Sequence, residues 1–465
     1  MNMINVRRLT VMTFLGASML SGISAQVSPL QVDTLKETKI PDQWDLQSCI
    51  DYAKEQNITI RKNRITAAST QIDVKTAKAA MFPSLSFSTG HQVVNRPYQE
   101  TSSRVSGSEI ISSNSKTSYN GNYGLNASWT LYNGNKRLKT IQQEKLNNQM
   151  AELDVATSEN NIQESIAQVY IQILYAAESV KVNENTLQVS IAQRDRGQEL
   201  LSAGSIAKSD LAQLEAQVST DRYQLVTAQA TLEDYKLQLK QLLELDGENE
   251  MNIYLPALSD ENVLAPLPTK RDVYISALSL RPEIEASKLN VEASELGINI
   301  AKSSYFPTIS LSAGIGTNHT SGSDFTFGEQ VKNGWNNSIG LSVSVPIFNN
   351  RQTKSAVQKA KLQYETSMLS LLDEQKALYK TIESLWLDAN SAQQRYAAAN
   401  EKLKSTQISY ELISEQFNLG MKNTVELLTE KNNLLQAQQE QLQAKYMAIL
   451  NTQLLKFYQG DQLAL

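Results

Sequence analysis

A run of 68 residues, 136–203, contains no proline and one glycine, Gly197. As a single α-helix it would reach roughly 100 Å at 1.5 Å per residue. Few folds accept such a rod. Its apolar residues keep a coiled-coil rhythm, with Ile162, Ile166, Val169, Ile173, Ala176 and Val180 stepping 4-3-4-3-4. In the next segment Leu211, Val218, Leu225, Leu232 and Leu239 step by seven. Leu214, Ala228, Tyr235 and Leu242 fill the other seam, with Asp221 as its single polar interruption. Leu428, Leu435, Leu442 and Ile449 repeat the pattern later in the chain. A strict seven-residue repeat winds helices into a left-handed supercoil. The remaining faces are Gln, Asn, Ser, Lys and Glu, which suits water outside or inside a tube.

The chain is duplicated. Phe82-Pro83-Ser84-Leu85 recurs as Phe306-Pro307-Thr308-Ile309, an offset of 224. Leu131-Tyr132-Asn133-Gly134 matches Ile347-Phe348-Asn349-Asn350, and Leu200-Leu201-Ser202-Ala203-Gly204 matches Gln416-Phe417-Asn418-Leu419-Gly420, both at 216. The change of offset predicts a longer loop near 95–118 than in the second copy. A period this long is a doubled half-molecule and no small solenoid unit. Each half reads as helix, strand, loop, strand, long helix, turn, helix. The first copy gives 45–80, 84–95, 118–132, 136–203 and 206–245. The second gives 271–304, 308–318, 337–348, 351–419 and 421–457. A turn-rich connection, 246–270, separates a first repeat (26–245) from a second (271–457), and 458–465 is a tail. Helices 52–80 and 206–245 together match the long helix in length, so two short helices can run end to end beside one long one.

The strands alternate sharply. The odd positions 119–131 are Tyr, Gly, Tyr, Leu, Ala, Trp and Leu, and the even ones are Asn, Asn, Gly, Asn, Ser and Thr. Ile339, Leu341, Val343, Val345 and Ile347 alternate with Ser, Gly, Ser, Ser and Pro. Leu85 and Phe87, and Ile309, Leu311, Ala313 and Ile315, follow the same rule. Successive side chains face opposite sides of a sheet, so every strand has one apolar face and one face of small uncharged groups. A soluble sandwich also alternates, but its solvent face carries charge. Strands of this length match tilted membrane strands of roughly 9–11 residues. Trp129, Tyr132, Trp335 and Phe348 stand toward strand ends, as in the aromatic girdles of membrane barrels. Four strands cannot close a barrel, and open edges in lipid cost several kcal/mol per unpaired group. The barrel is therefore shared between chains. Three copies would supply twelve strands, although the sequence alone does not set that number.

The N-terminus reads as a signal peptide. Arg7 and Arg8 precede the apolar run Leu9–Leu20, and Ser24-Ala25 supplies a cleavage site after Ala25. Its loss removes two of 43 basic residues and no acid, leaving 41 against 48, a net charge of −7. No basic stripe for nucleic acid is present. The only cysteine, Cys49, excludes an internal disulfide. His91 and His319, the only histidines, sit near strand ends and make no metal or nucleophile motif, so they read as solvated loop residues. With no phosphate-binding glycine loop, no cofactor motif and no catalytic constellation, the chain reads as a non-enzyme that takes energy from a partner.

These features together resemble the TolC family of outer-membrane efflux proteins. The resemblance rests on the duplicated half, the helix–Phe-Pro-x-Leu–strand junctions, Leu280-Arg281-Pro282-Glu283-Ile284, and the turn Phe417-Asn418-Leu419-Gly420-Met421-Lys422-Asn423-Thr424-Val425-Glu426-Leu427-Leu428. Trp44-Asp45-Leu46-Gln47-Ser48-Cys49-Ile50-Asp51-Tyr52-Ala53 resembles versions from Bacteroidetes-type bacteria. The resemblance covers about residues 44–457. It implies a mainly α chain with a membrane β-barrel: a homotrimeric twelve-strand barrel in outer-membrane lipid and a coiled helical tunnel in the periplasm. It implies docking to a periplasmic adaptor and to an RND- or ABC-type inner-membrane transporter. It further implies that the tip turns, Gly204-Ser205 and Gly420-Met421, meet the adaptor, and that the second tip carries a gate. Glu426 matches an acidic ring, Lys422 a basic lock residue, Asp210 its acidic partner and Phe417 a tyrosine of that lock. Two departures stand out: Thr429 replaces a second acid, with Glu430 beside it, and Phe417 lacks the phenolic hydroxyl. Removing the charge of Lys422 or Asp210 is expected to raise closed-state conductance. A general diffusion porin and a periplasmic coiled-coil scaffold are the alternative readings. The first wants many strands in one chain, and the second leaves the strand pattern unexplained.

Overall fold

The computed structural model describes residues 41–98, 102–106, 109–113, 116–246, 251–256, 263–321, 323 and 325–463. The expected signal segment 1–25 lies outside the described residues. In the first repeat α1 (Leu46–Gln56) and α2 (Ile58–Ala79) lead into β1 (Ser84–Asn95), a hairpin of β2 (Ser102–Ser106) and β3 (Glu109–Ser113), and β4 (Thr117–Asn133). Then come α3 (Lys136–Ser202) and α4 (Lys208–Leu242). The second repeat runs α5 (Lys270–Leu280), α6 (Pro282–Lys302), β5 (Thr308–Thr320), α7 (Phe327–Asn333), β6 (Asn336–Ser344), α8 (Gln352–Asn418) and α9 (Thr424–Gln459). Both rods, α3 and α8, have 67 residues and end within one residue of their expected limits. The buried stripe of α4, with Leu214, Val218, Asp221 and Leu239, is the expected heptad seam.

The expected helices 45–80 and 271–304 are each broken, at Asn57 and Arg281. These positions are also 224 residues apart. Asn57 caps α2, accepting from the Thr59 N–H at 2.9 Å, while its Nδ2 donates to Leu242 O at 3.0 Å. The end of α4 thus meets the start of α2, and both helices pack along α3. At the second break Pro282 removes an N–H and holds Arg281 extended, at φ −75° and ψ 124°. Arg281 is buried. Its guanidinium donates to Glu283 Oε1 at 2.7 Å and Glu164 Oε1 at 3.1 Å, and lies 4.3 Å from the Tyr458 ring.

Four of the strands form one antiparallel sheet in the order β1-β4-β5-β6, and β2 pairs with β3 in a second. Its register aligns the apolar positions in rows: Phe87, Leu125 and Ile315; Leu85, Ala127, Ala313 and Ile339; Trp129, Leu311 and Leu341. The polar rows, such as Ser86, Asn126, Gly314 and Ser338, fill the opposite face. A bulge between Thr130 and Tyr132 shifts the phase, so Tyr132 pairs with Ile309 and joins the apolar face. β6 stops at Ser344 and not at 348, since Pro346 has no N–H for the ladder. The long loop near 95–118 contains the unforeseen hairpin β2–β3, and α7 was likewise unforeseen.

Both sheet-to-rod junctions use a left-handed pair, Gly134-Asn135 (φ 66° and 63°) and Asn350-Arg351 (φ 49° and 64°). At Gly134 a Cβ would lie 2.7 Å from Ser303 O, so the junction needs glycine for space as well as for conformation.

The main core lies midway along the rods, where Trp44, Cys49, Ile166, Tyr170, Ile173 and Leu454 are buried together. The connection 246–270 is stitched into it. Trp44 N–H donates to Asn252 O and Tyr254 N–H to Trp44 O, each at 2.8 Å. Gln393 Nε2 donates to Val263 O at 2.9 Å and Ala265 O at 2.8 Å. Burial pushes the Cys49 thiol up to about 12, which makes it an unreactive core residue.

Candidate functional site at the helix tips

The far ends of the rods, opposite the sheet, carry the resemblance-derived site. Gly204 and Gly420 close them at φ 73° and 74°. Ser205 N–H donates to Leu200 O at 2.8 Å and Met421 N–H to Gln416 O at 2.9 Å, wrapping the last turn of each rod. Beyond their own chain neighbours, nothing lies within 4 Å of a Cβ built on either glycine, so each turn has open space at that point. Ser205 is exposed, and Leu419 and Met421 show 69% and 71% of their surface, leaving apolar groups bare at the second tip.

The start of α9 is a capping box. Asn423 Oδ1 accepts from the Glu426 N–H at 2.9 Å, and Glu426 Oε2 accepts from the Asn423 N–H at 3.2 Å. Lys422 Nζ reaches Glu426 Oε1 at 2.6 Å. The Lys422 hydrogen bond, followed by that from Asn423, holds the Glu426 carboxyl below the usual carboxylate range. Asp210 makes the matching contact on α4, accepting from the Ala207 N–H at 3.0 Å. Lys422 and Asp210, expected as lock partners, make no ion pair with each other within the chain. The reason is local: Lys422, just before the Asn423 cap, reaches Glu426 in the first turn of α9, while the Asp210 carboxylate is held by its own helix start.

Phe417 is 2% exposed and packs with Leu214 and Leu427, with Leu200, Tyr410 and Leu428 around them. The missing hydroxyl is thus explained, because the site is an apolar contact between the two hairpins. Near it Gln193 Nε2 donates to the Tyr410 hydroxyl at 2.8 Å, and Arg196 Nη2 donates to Asn418 O at 3.4 Å.

The polar interruption Asp221 also has its explanation between the hairpins. Ser190 on α3, Asp221 on α4 and Lys431 on α9 are buried to 2%, 2% and 3% exposure. Lys431 Nζ donates to Asp221 Oδ2 and Ser190 Oγ, and Gln217 Nε2 donates to Asp221 Oδ1 at 2.9 Å. Burial pulls the Lys431 ammonium below its usual range, and Asp221 opposes that pull. Sequence reasoning flagged Asp221 and missed its partners. A usable signal existed: Lys431 lies four residues from both Leu427 and Leu435, on the buried side of α9, where an unpaired lysine would be costly.

At the sheet, Trp129, Tyr132 and Phe348 stand at the end nearest the rods and Trp335 at the loop end, just before β6. Trp129 donates its indole N–H to Met81 O at 2.7 Å, and Phe348 is 84% exposed. The histidines lie toward strand ends, as expected, but are not loop residues. His91 and His319 lie within β1 and β5, both opposite Gly121. The Tyr119 hydroxyl is 2.7 Å from His91 Nδ1, and the Tyr119 ring centroid is 5.8 and 5.6 Å from the two imidazoles. They form an aromatic cluster on the sheet in place of free loop side chains.

Comparison with known proteins agrees with this architecture. A family model described as "Outer membrane efflux protein" matches residues 49–244 and 273–460, one segment per repeat. The outer membrane efflux protein BepC of Brucella suis is 24% identical over 63% of this chain and 61% of its own length. The outer membrane protein TolC of Escherichia coli is 24% identical over 61% of this chain and 58% of its own. The match thus spans about three fifths of these relatives. Among solved structures, that of CusC superposes with a TM-score of 0.76 at 19% identity, covering 90% of this chain and 92% of that one. VceC of Vibrio cholerae gives 0.73 at 16%, covering 90% and 97%. These likenesses show the fold, and with a family model that covers both repeats they place the chain in the outer membrane efflux protein family.

Proposed function

We propose that this chain is one subunit of an outer-membrane exit duct, a passive conduit for export. Three copies each contribute four strands to a twelve-strand barrel, and their rods continue it as a tunnel into the periplasm. The observation that carries this reading is the sheet itself. Among the described residues its edge strands β1 and β6 have no partner strand on one side, and the β6 side chains Ile339, Leu341 and Val343 are 82%, 65% and 58% exposed. An apolar face with bare edges fits lipid only when neighbouring copies satisfy the edges. The bare tips, including Leu419 and Met421, suit docking by a periplasmic adaptor, with an RND- or ABC-type transporter in the inner membrane supplying energy. The chain itself moves cargo without chemistry.

Within this reading Glu426 lines the tip entrance, where symmetry brings three carboxylates around one axis. Such a ring favours cations. Asp210 and Lys422 would then meet between neighbouring copies, while Lys422 also neutralises its own Glu426. Planar-bilayer recordings test this. Glu426→Gln lowers cation preference, whereas Lys422→Gln frees the carboxylate and raises it. Unchanged selectivity in both variants would remove Glu426 from the entrance.

A further inference from the structure

The chain carries a net charge of −5, yet the four segments where helices meet the sheet are cationic. Residues 74–83, 134–143, 296–307 and 345–364 contain no aspartate or glutamate. Lys75 and Lys78 end α2, Lys136 and Lys139 begin α3, Lys302 ends α6 and Lys354 begins α8. Among the described residues none of the six is in an ion pair. Paired cations do occur along the rods and at the tips, as in Arg196–Glu199, Lys236–Glu233, Lys402–Glu440 and Lys422–Glu426.

Helix energetics account for Lys75, Lys78 and Lys302, which lie toward helix C-termini, but not for Lys136, Lys139 and Lys354. Positive charge is unfavourable at a helix start and acidic residues are favoured there. The helices α4, α5, α6, α7 and α9 follow that rule with Asp210, Asp272, Glu283, Glu329 and Glu426 in their first turns. The two rods that leave the sheet have no acid in the first turn and carry Lys136, Lys139 and Lys354 in or just after it. Arg137 is the exception with a structural task, its guanidinium donating to Ala80 O at 2.8 Å and to Thr130 O.

We propose that these six lysines form a collar that binds the phosphates of anionic phospholipids in the membrane leaflet facing the rods. The inference rests on the membrane reading of the sheet. The lysines sit where the apolar face ends, at headgroup depth, and long lysine side chains reach such a layer with their stems on apolar surface. They come from four separate elements, which suits a layer of headgroups better than one free anion. Each lysine near an anionic surface is worth roughly a fivefold gain in binding.

The test uses the full chain in nanodiscs of phosphatidylcholine with a minority of phosphatidylglycerol, and native mass spectrometry counts the lipids retained. The variant is Lys136→Gln with Lys139→Gln and Lys354→Gln, substitutions that relieve the helix starts and so leave folding intact. Wild-type protein should retain phosphatidylglycerol over phosphatidylcholine and lose that preference in high salt. The variant should show at least a tenfold weaker preference. Equal preference in the variant would overturn the collar, and so would displacement of the lipid by millimolar inorganic phosphate. Insertion without any lipid preference would also overturn it, leaving the lysines to an acidic protein partner. Failure to insert at all would instead sink the barrel.

Discussion

Lys431→Met is expected to unfasten the two tip hairpins at a local cost of about 3–5 kcal/mol. The substitution keeps the volume and removes the charge, stranding the Asp221 carboxylate at 2% exposure with the Ser190 hydroxyl and the Gln217 amide. A buried charge that loses its partner bears the whole desolvation penalty. Hydrogen exchange reads the effect where it arises. Amide protection in the first half of α9 and the facing turns of α3 and α4 should fall by roughly two to three and a half orders of magnitude. Protection around Trp44 and Tyr170 in the main core should hold. Adding Asp221→Leu removes the stranded charge and should return most of the loss, because apolar replacement of a whole buried pair is often neutral. Unchanged protection in Lys431→Met would mean that the hairpins are held by Phe417, Leu214 and Leu427 alone.

Arg281→Met should be similarly costly, about 3–5 kcal/mol near pH 8, and it should depend on pH. The guanidinium satisfies Glu164 and Glu283 together and stacks on Tyr458, whose phenol burial pushes up to about 12. Burial already raises the Glu164 carboxyl above its usual range, with Arg281 acting the other way. Without the arginine it rises further. A carboxyl whose folded-state value is raised costs stability at high pH, and the cost disappears as pH falls through that value toward the unfolded one. The defect of Arg281→Met should therefore shrink as pH falls from 8 toward 5, when Glu164 takes up a proton. Arg281→Lys should recover only part, since an ammonium cannot fork between two carboxylates. Thermal midpoints at the two pH values check this, and a loss that does not vary with pH would contradict it.

The periodic parts of this molecule were plain in the sequence. Heptads marked α3, α4 and α9, the internal duplication marked α8, and alternation marked β1, β4 and β5, because the periodic patterns follow directly from which face is buried. Contacts distant in sequence were hidden. Lys431 and Asp221 are 210 residues apart, and nothing beside either names the other. Lys422 and Glu426 pair within the chain at a separation of four residues, whereas the Asp210 partnership comes from family resemblance and is a contact proposed between neighbouring copies. The break at Arg281 and the early end of β6 were legible from Pro282 and Pro346. The bulge at Thr130–Tyr132 was not, since one extra residue leaves the composition of a strand unchanged.

The central claim is that four strands per chain become a closed barrel by sharing. The most direct measurement is the oligomeric state of the protein extracted from membranes, taken by native mass spectrometry before and after boiling. A three-chain complex in the outer-membrane fraction that falls to single chains on heating is the expected result. A single-chain species recovered from the soluble periplasmic fraction would contradict it.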